Sequence, residues 1–196
     1  MATFINLNKT KNHTVTLNKS GKYAAFLHNL SGKFIFELKE KNIYLDIYGL
    51  FVGKKTDKFE VETIQHHIGP ECTSNLLIKG VFYDESKFIY QGLIRLEKSA
   101  QKSHAYQKNQ NLMMSDKCFL DSRPFLEILA NDVFCTHGST TGRLNEDQLH
   151  YLQTRAIAKK TAEQLLIDGF INEILGKIAA YESKEHTKRL SDFSSS

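Results

Sequence analysis

From Thr14 to His137 the chain is a succession of short runs rich in Ile, Val, Phe and Tyr: KYAAFLHNL, KFIFELKE, NIYLDIYGLFVG, FEVETIQHHI, SNLLIKGVFYD, KFIYQGLIRLE and PFLEILANDVFCTH. Turn formers separate them at Ser20-Gly21, Ser31-Gly32, Lys41-Asn42 and Asp84-Glu85-Ser86, which predicts strands and no amphipathic helix. The runs recur every ten residues or so, and proline occurs only at Pro70 and Pro124. Several of them are apolar on more than one face. A sandwich, a barrel and a stack of coils all fit this pattern, and periodicity does not choose between them.

The period changes at Asn145. Asn145-Glu146-Asp147-Gln148 has the form of a capping box, and Leu149, Leu152, Ala156 and Ile157 follow as an apolar stripe. A second helix is predicted from about Lys160 to Ile178, burying Ala162, Leu165, Leu166, Gly169, Phe170, Ile174 and Ile178 at three-and-four spacing. After Tyr181 the polar stretch ESKEHTKRLSDFSSS shows no periodicity and is expected to be mobile. The predicted layout is a β body over 1–142, a helical unit over 143–182 and a tail over 183–196.

A length of 196 residues suits one domain, and hydrophobic residues at 41% suffice for a core. The net charge of +4 is spread thinly. The short basic spots at Lys54-Lys55 and Lys184 to Arg189 carry no interleaved aromatics, so no nucleic-acid partner is expected. Cys72, Cys118 and Cys135 are an odd set without a CxxC pair, which argues against a disulfide framework and for a reducing setting. No run approaches the ~18 apolar residues of a membrane helix, and the N-terminus has no signal-peptide pattern. A soluble, cytoplasmic protein is expected.

The candidate chemistry is concentrated in NDVFCTHGSTTGRLNEDQLHYL, Asn131 to Leu152. On a strand, Cys135 and His137 share a face with Val133, while Phe134 and Thr136 point away. A thiolate and an imidazole so placed suit one soft metal or an iron–sulfur cluster. Two donors do not close a site, so others must come from neighbouring strands or another chain. A small buried Cys beside a hydrogen-bonded His is the structural alternative. A nucleophilic dyad fits poorly, because neighbours at i and i+2 stand about 6–7 Å apart. Cys118 is a weaker candidate ligand, and the set His66, His67 and Cys72 lacks zinc spacing. The GSTTG run from Gly138 to Gly142 fails as a P-loop, since Arg143-Leu144 follows its second glycine; it is expected to lead the chain out of the strands.

The stretch from His66 to Phe170 resembles the SufB/SufD family of iron–sulfur cluster assembly scaffolds. The likeness is carried by Pro124-Phe-Leu-Glu-Ile128, Asp132-Val133, Cys135-Thr136-His137-Gly138 and the helical entry Asp147-Gln148-Leu149 with Tyr151-Leu152 and Arg155. Gln91-Gly92, Ala100-Gln101, Tyr106-Gln107-Lys108-Asn109 and Leu112 to Asp116 fit the same pattern. The resemblance implies a right-handed parallel β-helix followed by a small C-terminal α-helical domain. It also implies pairing, with a SufB-like paralogue or a second copy of the chain, and docking of a SufC-type ABC ATPase by the helices. Leu149, Leu152, Leu165 and Phe170 are the expected docking residues. The SufB branch has Glu-His-Glu in place of Cys135-Thr136-His137 and a cysteine in place of Asn109, so the chain looks SufD-like. By the same resemblance His137, with Cys135 beside it, contributes to a transient iron–sulfur site at the junction of the paired β-helices. No bond-making catalysis and no bound nucleotide are expected of this chain. Two readings stay open beside this one: a structural partner that donates no ligand, and an unrelated β-helix interaction module. Family members usually run to more than twice this length, and a shortened member is expected.

Overall fold

The computed structural model describes residues 2–181. The strands are β1 (Thr3–Asn6), β2 (Thr14–Leu17), β3 (Gly21–His28), β4 (Gly32–Leu38), β5 (Ile43–Gly53), β6 (Lys58–His67), β7 (Thr73–Phe82), β8 (Lys87–Leu96), β9 (Ser103–Met113), β10 (Phe119–Ile128) and β11 (Val133–Gly142). A 3-10 turn (Leu7–Lys9) follows β1, and the helices α1 (Glu146–Thr154) and α2 (Lys159–Ala179) close the described chain. Odd strands form one six-stranded sheet in sequence order, even strands a five-stranded sheet, and every pair is parallel. The chain therefore alternates between two sheets and returns one strand higher on each circuit. This is a parallel β-solenoid, the fold the resemblance implies, with two C-terminal helices.

Between the sheets lies the main core, in which Phe34, Phe36, Leu38, Leu45, Ile47, Phe51, Phe82, Phe88 and Tyr90 are all fully buried. Aromatic rings from the two sheets meet in it: the Phe88 centroid lies 4.9 Å from that of Phe82 and 5.0 Å from that of Phe51. Each buried ring contributes roughly 1.5–3 kcal/mol by leaving water, and the contacts tie the two sheets together. The corners need left-handed backbone, and Asn29, Asn42 and Asp84 adopt it with φ of 48°, 56° and 53°, residue types that tolerate it at low cost. The Asn29 carboxamide accepts from Val52 N at 2.8 Å and donates to Val52 O at 3.2 Å. It thereby extends the ladder into the corner.

Three strands escape the sequence pattern: β1, β2 and β9. The miss at β9 is instructive, because its inward face is Ser103, Ala105, Gln107, Asn109 and Asn111, all at 3% exposure or less. The alternation is present, but polar residues occupy the buried phase. The GSTTG run is strand as well, since β11 continues to Gly142.

Asn145 caps α1, accepting from Gln148 N at 2.9 Å, as the capping pattern predicts. The predicted stripe does not run on to Ile157, because α1 stops at Thr154 and Ala156 reverses the backbone at φ 61°. The buried face of α2 is Ala162, Ile167, Ile171, Ile174, Leu175 and Ile178, whereas the prediction placed Leu165 and Gly169 there; Leu165 is 49% exposed. Leu165, Leu166 and Ile167 are consecutive, so the apolar pattern spans neighbouring faces and leaves the rotation undetermined. The helix packs on the outside of the odd-strand sheet against Phe26, Tyr48, Leu50, Leu77 and Val81. Lys79 anchors it from below: its side chain is 4% exposed, it pairs with Glu173, and its ammonium donates to Phe170 O at 2.9 Å. Among the described residues no helix is long and apolar enough to cross a membrane. The tail predicted to be mobile lies outside the described residues.

Candidate functional site

Among the described residues the last strand, β11, pairs only with β9, leaving its other edge without a strand partner there. Its facing is fixed by the ladder. His137 lies opposite Gln107, which lies opposite Leu76, which lies opposite Ile47, all on the inner column. Cys135 heads the parallel column of Ala105, Ser74 and Leu45. The thiol and the imidazole therefore share the inner face of the terminal coil, as the strand alternation predicts. Across the mouth, β10 contributes Ser122, Pro124, Leu126 and Ile128 through the matching column over Tyr90, Gly92, Ile94 and Leu96. Ser139 Oγ donates to Ser122 Oγ at 2.9 Å and bridges the two sheets there.

The two donors differ in environment. Cys135 is half-buried, packed against Ile94, Leu96, Ala100 and Ala105, and burial pushes its thiol up to about 11. At neutral pH it holds its proton, and a metal must displace it. His137 is exposed at the open mouth. On the inner side of the mouth Leu126 and Ile128 are 40% and 41% exposed, while Phe125 and Phe134, 51% and 60% exposed, stand on the outer faces of the same coil, so the edge of the terminal coil is apolar.

The other candidates lie elsewhere. Cys118 sits at the β9–β10 corner, donating from Sγ to Phe82 O at 3.1 Å, in the main core rather than beside Cys135. Cys72 is buried and donates to Glu40 O at 3.1 Å. His66 and His67 point to opposite faces: His66 pairs outside with Glu97 at 2.9 Å, while His67 is buried and bonds Ser74 Oγ at 2.7 Å. Among the described residues no three His, Cys, Asp or Glu side chains converge as a metal site.

The expected docking residues are divided. Leu149 and Leu152 are half-buried on α1, which buries no residue completely, and Leu165 stands exposed on α2. Phe170 turns inward instead, packing against the sheet cluster with the Lys79 ammonium 4.2 Å from its ring centroid. Sequence reasoning passed over two features: Lys79 as a helix anchor, and the Gln107-Asn109-Asn111 row. The row carried no alternation to read, since every residue from Gln107 to Asn111 is polar.

Residues 6–170 match the family described as SUF system FeS cluster assembly, SufBD core domain. The "Iron-sulfur cluster assembly protein SufD" of Escherichia coli (strain K12) is 33% identical over 151 residues, covering 77% of this chain and 35% of that protein. The protein of the same name from Bacillus subtilis (strain 168) is 34% identical over 126 residues, 64% of this chain and 28% of its own length. "Protein ABCI7, chloroplastic" of Arabidopsis thaliana is 29% identical over 145 residues, 74% of this chain and 30% of its own length. The chain spans about a third of the length of these curated relatives. With the match running from the first coil into α2, the chain belongs to the SufBD core-domain family.

Proposed function

We propose that this chain is a non-catalytic scaffold subunit of Suf-type iron–sulfur cluster assembly. It pairs through the open end of its solenoid with a SufB-like paralogue or a second copy, and docks a SufC-type ABC ATPase through α1 and α2. The observation that carries this reading is the coincidence of three features on one terminal coil. The strand edge is unpaired, its rim is apolar, and its inner face holds Cys135 and His137 with no third such donor converging on them among the described residues. Pairing covers the rim, completes the ladder and brings the missing donors.

Iron and sulfide are the substrates of this site. Cys135 would bind as thiolate after losing its proton to solvent, and His137 would bind through a ring nitrogen. The ATPase's nucleotide-driven closure moves the docked hairpin. Lys79 and the Ile171–Ile174–Leu175 face then pass that motion to the odd-strand sheet, the sheet that ends in β11.

A second reading, in which the chain pairs and docks but donates no ligand, is favoured by the raised Cys135 thiol. The first experiment is oxygen-free co-purification of this chain with the SufC-type ATPase from the same source, followed by mass determination. A complex with two ATPases per pair of scaffold chains is expected. A folded chain that remains monomeric and binds no ATPase would contradict pairing and docking together.

A further inference from the structure

Directly beneath the terminal coil the interior turns polar. Gln107, Asn109 and Asn111 are 2%, 1% and 3% exposed, and they lie one ladder rung below His137, Ser139 and Thr141, a spacing of about 4.8 Å. The row is under-bonded: Gln107 Oε1, Asn109 Nδ2 and Asn111 Oδ1 have no protein partner. The Gln107 amide nitrogen reaches only Gly92 O, at 3.5 Å, and Asn111 Nδ2 donates to Asn109 Oδ1 at 2.5 Å. Exchanging oxygen and nitrogen within the Asn109–Asn111 pair moves the orphaned atoms without removing them.

Packing does not require these residues. One rung lower, the same columns hold Leu76, Ile78 and Gly80, so aliphatic side chains fit this interior. Buried polar atoms left unpaired cost stability, and such costs persist chiefly where a site needs the groups. Space has also been cleared for them. A Cβ on Gly92 would lie 2.2 Å from Gln107 Nε2, so the glycine lets Gln107 span the interior to the opposite sheet. Gly92 is the ladder partner of Pro124, as Gln107 is of His137. The spanning carboxamide therefore forms the floor under the mouth where His137 sits.

We propose that Gln107, with Asn109 beside it, is the inner wall of the iron–sulfur binding site. The unpartnered Asn109 Nδ2, and the Gln107 amide whose Nε2 makes only the 3.5 Å contact to Gly92 O, donate to the sulfur or oxygen atoms of the iron-bearing guest held by Cys135 and His137, and so position it. This rests on the scaffold reading above. Hydrogen bonds to cluster sulfurs and second-shell donors are known levers on affinity. The row also supplies what the apolar rim does not.

The test uses the isolated chain and the reconstituted complex with Gln107→Met, which keeps the length and removes the amide, and Gly92→Ala, which displaces the carboxamide without removing a polar group. The urea midpoint of the isolated Gln107→Met chain is expected to be unchanged or higher. The complex bearing either variant, loaded with ferrous iron and sulfide without oxygen, is expected to hold iron about ten- to a hundred-fold more weakly. A lower midpoint or a Gln107→Met chain that does not fold makes the row structural and overturns the inference. Full iron retention by Gln107→Met in a complex whose wild type loads overturns it as well, leaving the scaffold reading standing. A wild-type complex that retains no more iron than one carrying His137→Ala refutes ligand donation by this chain and takes this inference with it.

Discussion

Ile174→Ala is expected to loosen α2 from the solenoid while the coils stay folded. Ile174 is fully buried in the cluster that joins the helix to Phe26, Tyr48, Leu77 and Val81. Truncation leaves a cavity and costs about 2–5 kcal/mol. Adding Ile171→Ala removes a second anchor, leaving Ile167, Leu175 and Ile178 with the Lys79 contacts to Glu173 and Phe170 O to hold the helix. Amide hydrogen exchange reads the outcome: amides of α2 should exchange faster as a block, while the interior of β5 to β8 stays protected. Acceleration spread evenly over the strands would mean that the helix is part of the core unit and carries no separable motion. On the proposed docking, the double variant should lose the ATPase from the assembled complex, because the α1–α2 hairpin no longer has a rigid base.

The second large effect is on pH. Burial pushes the His67 imidazole down to about 4 from an ordinary 6.5, with the neighbouring His66 adding to the shift. The folded state therefore binds fewer protons than the unfolded chain between those values. The stability tied to neutral His67 is complete above about pH 6.5, drains as pH falls toward 4, and is gone below it. A shift of that size corresponds to about 3 kcal/mol. His28 is lowered too, by burial, and adds to the slope. The carboxylates held low by partners, such as Glu37 with Thr16 and Lys39, act below their ordinary range instead. Urea midpoints measured from pH 7.5 to 4 should fall steeply, and His67→Gln should flatten most of the slope. An unchanged slope in the variant would place the linkage elsewhere.

How far the sequence could be read depended on what each buried face is made of. Strands β3 to β8 announce themselves because Phe, Leu, Ile and Val recur on their inner faces, although β6 also turns Thr63, Gln65 and His67 inward. Strand β9 is equally buried and equally regular, yet its inner face is Gln107, Asn109 and Asn111, and a search for apolar alternation passes over it. The facing of Cys135 and His137 followed from strand geometry alone, since i and i+2 share a side in any sheet. Their position at the open mouth required the coil topology, which the family resemblance supplied and periodicity did not. Helix α2 was legible in length but not in rotation, because Leu165, Leu166 and Ile167 give it more than one apolar face. Lys79 was beyond reach of the sequence. A lysine inside a strand reads as a solvent-facing residue until a helix that begins 80 residues later is laid across it.

The central claim is that this chain lends ligands to a shared iron–sulfur site. Its most direct test is the iron bound by the reconstituted complex carrying His137→Ala, compared with wild type under oxygen-free loading with ferrous iron and sulfide. His137 is exposed and holds no core contact, so the variant should fold, pair and dock the ATPase normally. The account predicts loss of most of the retained iron with the complex intact. Wild-type iron content in an intact His137→Ala complex would contradict it and leave the chain a structural partner only.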